Sequence, residues 1–308
     1  MQKIFKTIDE QVEILRSKGM TIDDEFTVKE ILLRENYFFI SGYRHLFLEN
    51  SKSKKYKIGT DFKELYAMFN FDRQLRNIFF KNLLIIENNM KSIFSYELSK
   101  NYGFKEKDYL KPSNFNTSSD RVRQVNDLLR KIKRQIRVNG GHHSATTHYI
   151  YNYGYIPLWV VVKVLSFGIV CELYSIMKSE DQRTIAEIYN VEVIELLNML
   201  PILANYRNLC AHEDILYNHK TATMINNNKY HDALNIEIKD NEYTCGKNDL
   251  FALVLIMKTL LRDDEFRLLI KEIDYEVEIL SAKLKTISID EVLSKMGFPD
   301  NYTELINL

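Results

Sequence analysis

The chain has 308 residues, 45% of them hydrophobic, and contains only ten glycines and four prolines. This composition predicts a mainly helical protein with enough apolar material for a large core in one or two domains. Its 42 lysines and arginines balance 42 aspartates and glutamates, so the whole protein is not a polycation. A nucleic-acid site would therefore have to be a local basic patch.

The cysteine pattern and the hydropathy predict a cytoplasmic, soluble protein. Cys171, Cys210 and Cys245 are odd in number and lack Cys-x2-Cys spacing, which favours reduced thiols. The first residues have no apolar core of the kind found in signal peptides. No apolar run reaches the length that spans a membrane, because Lys163 interrupts the longest one.

Residues 1–60 are expected to form a helical extension ahead of the core. The apolar spacing predicts short helices over residues 7–18 and 27–36. Glu30 follows Thr27 by three residues, which predicts a capping box at the start of the second helix. An aromatic segment comes next, in which Gly42 would allow close packing of a neighbour.

The longest helical pattern covers residues 62–100, as one helix or two. Arg76 and Glu87 lie eleven positions apart on its apolar stripe, which is three turns, so both side chains face the same way. Buried charges of this kind need partners. Two interpretations remain open: an internal ion pair, or a Glu87 carboxylate that orients Arg207 or His212 on a neighbouring helix.

A basic amphipathic helix is predicted over residues 121–137, after a polar connection. Apolar side chains mark one face, and Asp127 is the one acid inside the segment. The cations of the other face are either merely solvated or contact RNA, and the excess of charge in a neutral protein favours RNA contact. They are Arg121, Arg123, Arg130, Lys131, Lys133, Arg134 and Arg137.

Three histidines occur in residues 139–148, which are expected to form a loop; no metal site is predicted there. Residues 157–177 are apolar almost all round and predict a central core helix. A short helix is expected over residues 181–189, and Asn190 is placed to cap the next one.

The stretch from residue 195 to 218 carries the candidate catalytic motif. Asn198 could cap its helix and leave Pro201 in the first turn; otherwise Pro201 interrupts a longer helix. Arg207 and His212 have four residues between them, and Asn208 shares one helical stripe with His212.

Guanidinium and imidazole together suit a phosphodiester, because arginine clamps phosphate oxygens and histidine transfers protons near neutral pH. The structural alternative is a pairing of this arginine and histidine with nearby acids such as Glu213 and Asp214. A second copy of the Arg-x4-His spacing, Arg137 to His142, contains two glycines and is interpreted as accidental.

Residues 220–247 lose helical periodicity and predict an irregular excursion with a short strand over residues 234–238. Helices return over residues 249–262 and 264–285. The final turn, Met-Gly-Phe-Pro-Asp-Asn-Tyr, is expected to dock on the body of the protein.

Several segments together resemble the Abi-like family, of the AbiD/AbiF type of phage abortive-infection protein. They occur in order across nearly the whole chain, and only Tyr302 departs from the expected tryptophan in the last of them. The segments are NYFFISGYR from Asn36, DRQLRNIFFKNLLIIENNMKS from Asp72, PLWVVVKVLSFGIVCELY from Pro157, YRNLCAHEDILYN from Tyr206 and MGFPDNY from Met296.

The resemblance implies an all-α, HEPN-like helical bundle with Arg207, His212 and Asn208 at the catalytic positions. Glu87, Arg76 and Tyr206 are expected to support this site. The expected organisation is an extension over residues 1–60, a core over 61–220, and a C-terminal part over 221–308, packed as one unit.

The function implied is that of an antiphage endoribonuclease that needs no metal or other cofactor and cleaves RNA by attack of the ribose 2′-OH. One motif per chain would act in a homodimer, with no membrane partner and no DNA cleavage. The alternative is a non-catalytic RNA-binding defence protein that holds a small structured non-coding RNA. The basic helix would serve either function.

Overall fold

The computed structural model describes residues 4–308; the predicted N-terminal extension includes residues 1–3, which lie outside this range. The fold is all-α, as predicted, with three short 3₁₀ turns and one hairpin of two-residue strands among these residues. The helices are α1 (Ile8–Ser17), α2 (Glu25–Glu35), α3 (Tyr37–Ser41), α4 (Phe62–Tyr102), α5 (Glu106–Tyr109), α6 (Val122–Asn139), α7 (Ser144–Tyr153), α8 (Leu158–Val161), α9 (Phe167–Ile176), α10 (Ser179–Ile188), α11 (Val193–Ala211), α12 (Lys229–Ala233), α13 (Leu250–Leu260), α14 (Asp263–Ser281) and α15 (Ile289–Met296).

Helix α4 is a single unbroken helix of 41 residues around which the others pack. It begins with a capping box between Asp61 and Glu64 and ends at Gly103, whose positive φ of 89° stops the helix. Its sequence contains no glycine or proline, so nothing divides it, and it extends about 60 Å. Helices α11 and α14 make its most extensive contacts.

Helix α11 runs through Pro201 instead of starting beside it. Glu192 caps the helix in a box with Glu195, so Asn198 lies inside the helix and donates its amide to Asn226 at 2.8 Å. Pro201 is exposed, where water can solvate the carbonyl that loses its partner. Asn190, which was predicted to cap this helix, instead adopts a left-handed backbone conformation (φ 55°) in the preceding turn.

Two other predictions of local structure were wrong. Asp24, not Thr27, caps α2, and the Thr27 N–H donates to the Asp24 carboxylate at 3.1 Å. The apolar segment 157–177 is not one helix, because the chain turns between α8 and α9 and restarts at Ser166 with an extended backbone. The histidine-containing residues 139–148 also include the first turns of α7, with His143 as its N-cap.

The excursion over residues 220–247 contains α12 and the hairpin, whose strands are Ile238–Lys239 and Glu242–Tyr243. The strand therefore begins where it was predicted to end. Asp240 and Asn241 form the turn with positive φ values of 50° and 66°, which is the backbone that a tight two-residue hairpin requires.

The C-terminal segment docks on the body, as predicted. The Tyr302 hydroxyl donates to Asp274 Oδ1 at 2.8 Å, and Phe298 packs between the rings of Tyr302 and Phe251. Near the start of α4, Glu64 accepts the backbone N–H groups of Lys285 and Thr286. Buried apolar residues from all parts of the described chain form one continuous cluster.

Candidate functional site

Arg207 lies in the last turns of α11 and is held from the side by α4. Its Nε donates to Glu87 Oε2 at 3.1 Å, and the other oxygen of Glu87 accepts from Lys91 Nζ at 2.7 Å. The guanidinium carbon lies 5.7 Å from the centre of the Phe80 ring. Within residues 4–308 the two terminal nitrogens of Arg207 make no hydrogen bond, and 30% of the side chain is exposed. One edge of the fork is therefore fixed while the other remains available to a ligand.

His212 is the first residue after α11 and is exposed. Its backbone N–H still donates to the carbonyl of Asn208 at 3.0 Å, while its imidazole forms no hydrogen bond with any described residue. Asn208, one turn earlier, is exposed as well. The two side chains share the solvent-facing side of the end of the helix, as their spacing predicted.

His212 opens onto a groove of about 1390 Å³. The opposite wall comes from α3 and the 3₁₀ turn Gly42–Phe47, and it includes the exposed rings of Phe38 and Phe39 together with Arg44. Arg207 and Asn208 are not among the residues that line this groove. The imidazole and the guanidinium therefore flank the end of α11 from different sides, and both are open to solvent.

The segment after His212 is fastened to α4 by a buried carboxylate. Asp72 has no exposed surface and accepts the backbone N–H groups of Leu216 at 3.0 Å and Tyr217 at 2.7 Å. The Tyr43 hydroxyl donates to it at 2.6 Å. Burial raises the pKa of Asp72, and its hydrogen-bond donors and the charge of Arg76 oppose that shift.

Arg76 belongs to this network and does not pair with Glu87. It forms an ion pair with Asp72, donates to the Tyr43 hydroxyl at 3.0 Å, and reaches the carbonyl of Asp214 at 3.3 Å. Of the two interpretations of the α4 stripe, a pair between Arg76 and Glu87 is wrong, and the contact between Glu87 and Arg207 is present.

Tyr206 packs inside the protein. It is fully buried, its hydroxyl donates to the carbonyl of His219 at 3.2 Å, and its ring meets the His219 ring edge-on. It is not among the residues that line the groove. Its contribution to the motif is to hold the chain that follows α11.

The cysteine inside the motif cannot act as a nucleophile near neutral pH. Burial raises the pKa of Cys210 to about 12, so its thiol stays protonated. All three cysteines are free.

Helix α6 is amphipathic as predicted, with Val125, Leu128, Leu129 and Ile132 buried against the body. Three of its seven predicted RNA-binding cations face carboxylates: Arg121 with Asp120, Arg130 with Asp127, and Lys131 with Glu172. The other four form no ion pair with any residue that the structure describes. They are Arg123, Lys133, Arg134 and Arg137.

Sequence reasoning missed Asp72 and Tyr43 as parts of this site. Both stand in segments that carry the family resemblance, and the spacing of Asp72 and Arg76 at i and i+4 was a usable signal for a paired carboxylate. The contacts of Asp72 with backbone N–H groups 144 and 145 residues away leave no trace in a side-chain pattern.

The fold and the site define an all-α protein that presents an arginine and a histidine at the end of a helix packed on a long central helix. The profile of the Abi-like protein family matches residues 30–218, which is more than half of the chain, so the protein belongs to that family. The matched range contains Tyr43, Asp72, Glu87, Arg207 and His212. No curated protein and no solved structure matches the chain.

Family membership supports a role in defence by abortive infection. No helix among residues 4–308 is long and apolar enough to cross a membrane.

Proposed function

We propose that this protein is a HEPN-superfamily endoribonuclease of the AbiD/AbiF type that acts in abortive infection. One observation carries the proposal: Glu87 holds Arg207 by Nε at 3.1 Å and leaves both terminal nitrogens free, while the imidazole of His212 stands open after the same helix. A purely structural arginine and histidine would be paired with the nearby acids. Neither Glu213 nor Asp214 forms an ion pair with them among the described residues.

The reaction proposed is an intramolecular transesterification of RNA. The ribose 2′-OH attacks its own phosphorus, the bond to the 5′ oxygen breaks, and the products are a 2′,3′-cyclic phosphate and a 5′-OH. His212 takes or gives a proton, and the free edge of Arg207 stabilises charge on the phosphoryl oxygens. Asn208 holds the imidazole or binds the phosphate. Because RNA supplies the nucleophile, the reaction requires no metal ion, and DNA is not cut.

The proposal includes a homodimer with the site at or near the two-fold axis. One imidazole cannot easily remove a proton from the 2′-OH and deliver another to the leaving oxygen in the same step. Two copies of the α11 terminus facing each other would supply two Arg–His pairs to one cleft. The unpaired cations of α6 would add contacts to phosphates along the bound strand.

The experiment compares purified wild type with Arg207→Ala and His212→Ala on a fluorescent single-stranded RNA and on the same strand with one 2′-deoxy nucleotide. The matched control is Arg137→Ala with His142→Ala, which removes the second Arg-x4-His spacing. Cleavage that both α11 variants lose, that the control retains and that survives a chelator supports the proposal.

Cleavage that continues in the α11 variants overturns it. A wild type that binds RNA through α6 and never cleaves it favours the second candidate, a non-catalytic protein that holds a small structured RNA. The four unpaired cations of α6 favour that function as much as the first.

A further inference from the structure

The chain reverses direction directly after His212, and this reversal involves a strained residue. Asp214 N–H donates to the carbonyl of Leu209 at 3.1 Å, and Glu213 N–H donates to that of Cys210 at 3.4 Å, which is a Schellman motif. The left-handed position of that motif is normally glycine, but here it is Glu213 with φ 57°. A non-glycine residue persists in this conformation only when the surrounding structure fixes it.

The fixing contacts come from α4, on the far side of the reversal. Asp72 binds the backbone of Leu216 and Tyr217, and Arg76 binds the carbonyl of Asp214. His212 thus lies between two anchors: the end of the α11 hydrogen-bond ladder before it and the Asp72 network after it. Its own ring has no partner among the described residues, so these anchors set where the imidazole stands.

We propose that Asp72 is a positioning residue for His212 and that Tyr43 acts with it. The inference rests on the proposed ribonuclease function. A carboxylate is needed because both of its oxygens only accept, and four donors surround them: the Tyr43 hydroxyl, Arg76 and two backbone N–H groups. Loss of a donor loosens the segment that carries the imidazole without touching the imidazole itself.

Tyr43→Phe is the gentlest test, because it deletes one hydroxyl from the network and leaves the ring. Tyr302→Phe is its matched control, since Tyr302 is equally buried and donates to Asp274 at 2.8 Å far along the chain from the motif. We expect Tyr43→Phe to lower kcat for RNA cleavage about 10- to 100-fold, with KM changed less than twofold. The control should keep both constants.

A second readout follows the imidazole directly and does not need activity. The seven histidines give separate imidazole Cε1–H signals in the ¹³C-histidine-labelled protein, and His212→Ala identifies the signal of His212. Tyr43→Phe should shift or broaden the His212 signal and leave that of the buried His231 unchanged. Tyr302→Phe should leave both unchanged. Asp72→Asn should act in the same direction as Tyr43→Phe and more strongly.

The outcomes separate the two proposals. A wild type without cleavage activity refutes the ribonuclease, and the histidine signals then still decide whether Asp72 and Tyr43 position His212. An active wild type whose Tyr43→Phe variant keeps kcat and an unaltered His212 signal refutes the positioning role alone. If Asp72→Asn does not fold, Tyr43→Phe decides the question.

Discussion

Replacing Glu87 by glutamine should weaken both the stability and the activity of the protein. The side chain is 7% exposed and accepts two charge-assisted hydrogen bonds, from Lys91 at 2.7 Å and Arg207 at 3.1 Å. Glutamine keeps one acceptor but turns an amide donor toward the other cation, so one such bond, worth about 1.5–3 kcal/mol, is lost. Partial exposure of Arg207 lets water replace some of it. We expect the free energy of unfolding to fall by about 2 kcal/mol.

The same loss, expressed at Arg207, corresponds to about a 30-fold fall in kcat/KM for RNA cleavage. Urea denaturation measures the first quantity, and cleavage of a fluorescent RNA at limiting substrate measures the second. Glu97→Gln is the control on the same helix: Glu97 is buried, but its one partner, Lys100, is exposed and lies at 3.4 Å. It should cost less than 1 kcal/mol and leave cleavage unchanged.

Our account of Glu87 as the residue that holds Arg207 fails if Glu87→Gln costs no more than Glu97→Gln. A double-mutant cycle of Glu87→Gln with Arg207→Gln separates the pair from the contact with Lys91. A coupling energy below about 0.3 kcal/mol in that cycle contradicts the geometry independently of any enzymatic activity.

Three further predictions concern pH, RNA affinity and assembly. Burial lowers the pKa of His231, so the fold favours its neutral form, and the free energy of unfolding should fall as pH drops below about 6.5, by at most about 1.4 kcal/mol per pH unit for this residue. His231→Gln should flatten that slope in urea titrations between pH 5 and 7, and an unchanged slope contradicts this. Lys133→Glu with Arg134→Glu should weaken RNA binding and reduce the salt dependence by about one ion per lost phosphate contact, measured by fluorescence anisotropy; equal salt slopes would place the RNA elsewhere. Mixing the inactive Arg207→Ala and His212→Ala chains should restore part of the cleavage if two protomers share one site, and no recovery on mixing argues against a shared cleft.

The regular part of the fold was accessible from the sequence because apolar spacing and helix-ending residues specify it. The absence of glycine and proline from α4 explains why the longest pattern became one helix. The division of residues 157–177 was not accessible, since an apolar run reads the same whether it forms one helix or two short ones. Pro201 misled in the other direction, because a helix can pass through a proline where its lost bond faces water.

The candidate site divides in the same way. The contact between Glu87 and Arg207 followed from a charge on an apolar stripe that needed a partner, and the structure supplies that partner on a neighbouring helix. Asp72 stayed hidden because the groups it binds include backbone N–H groups, which every residue but proline carries and no sequence pattern marks.

Helix α4 carries both fixed points of the motif, Asp72 for the segment after His212 and Glu87 for Arg207, on one uninterrupted rod. The distance between them is about 22 Å, set only by the count of residues. Adding or deleting a single residue between 77 and 86 would swing one fixed point about 100° around the axis relative to the other. Loops elsewhere in members of this lineage can lengthen or shrink freely, whereas this interval is a gauge whose length selection has to preserve.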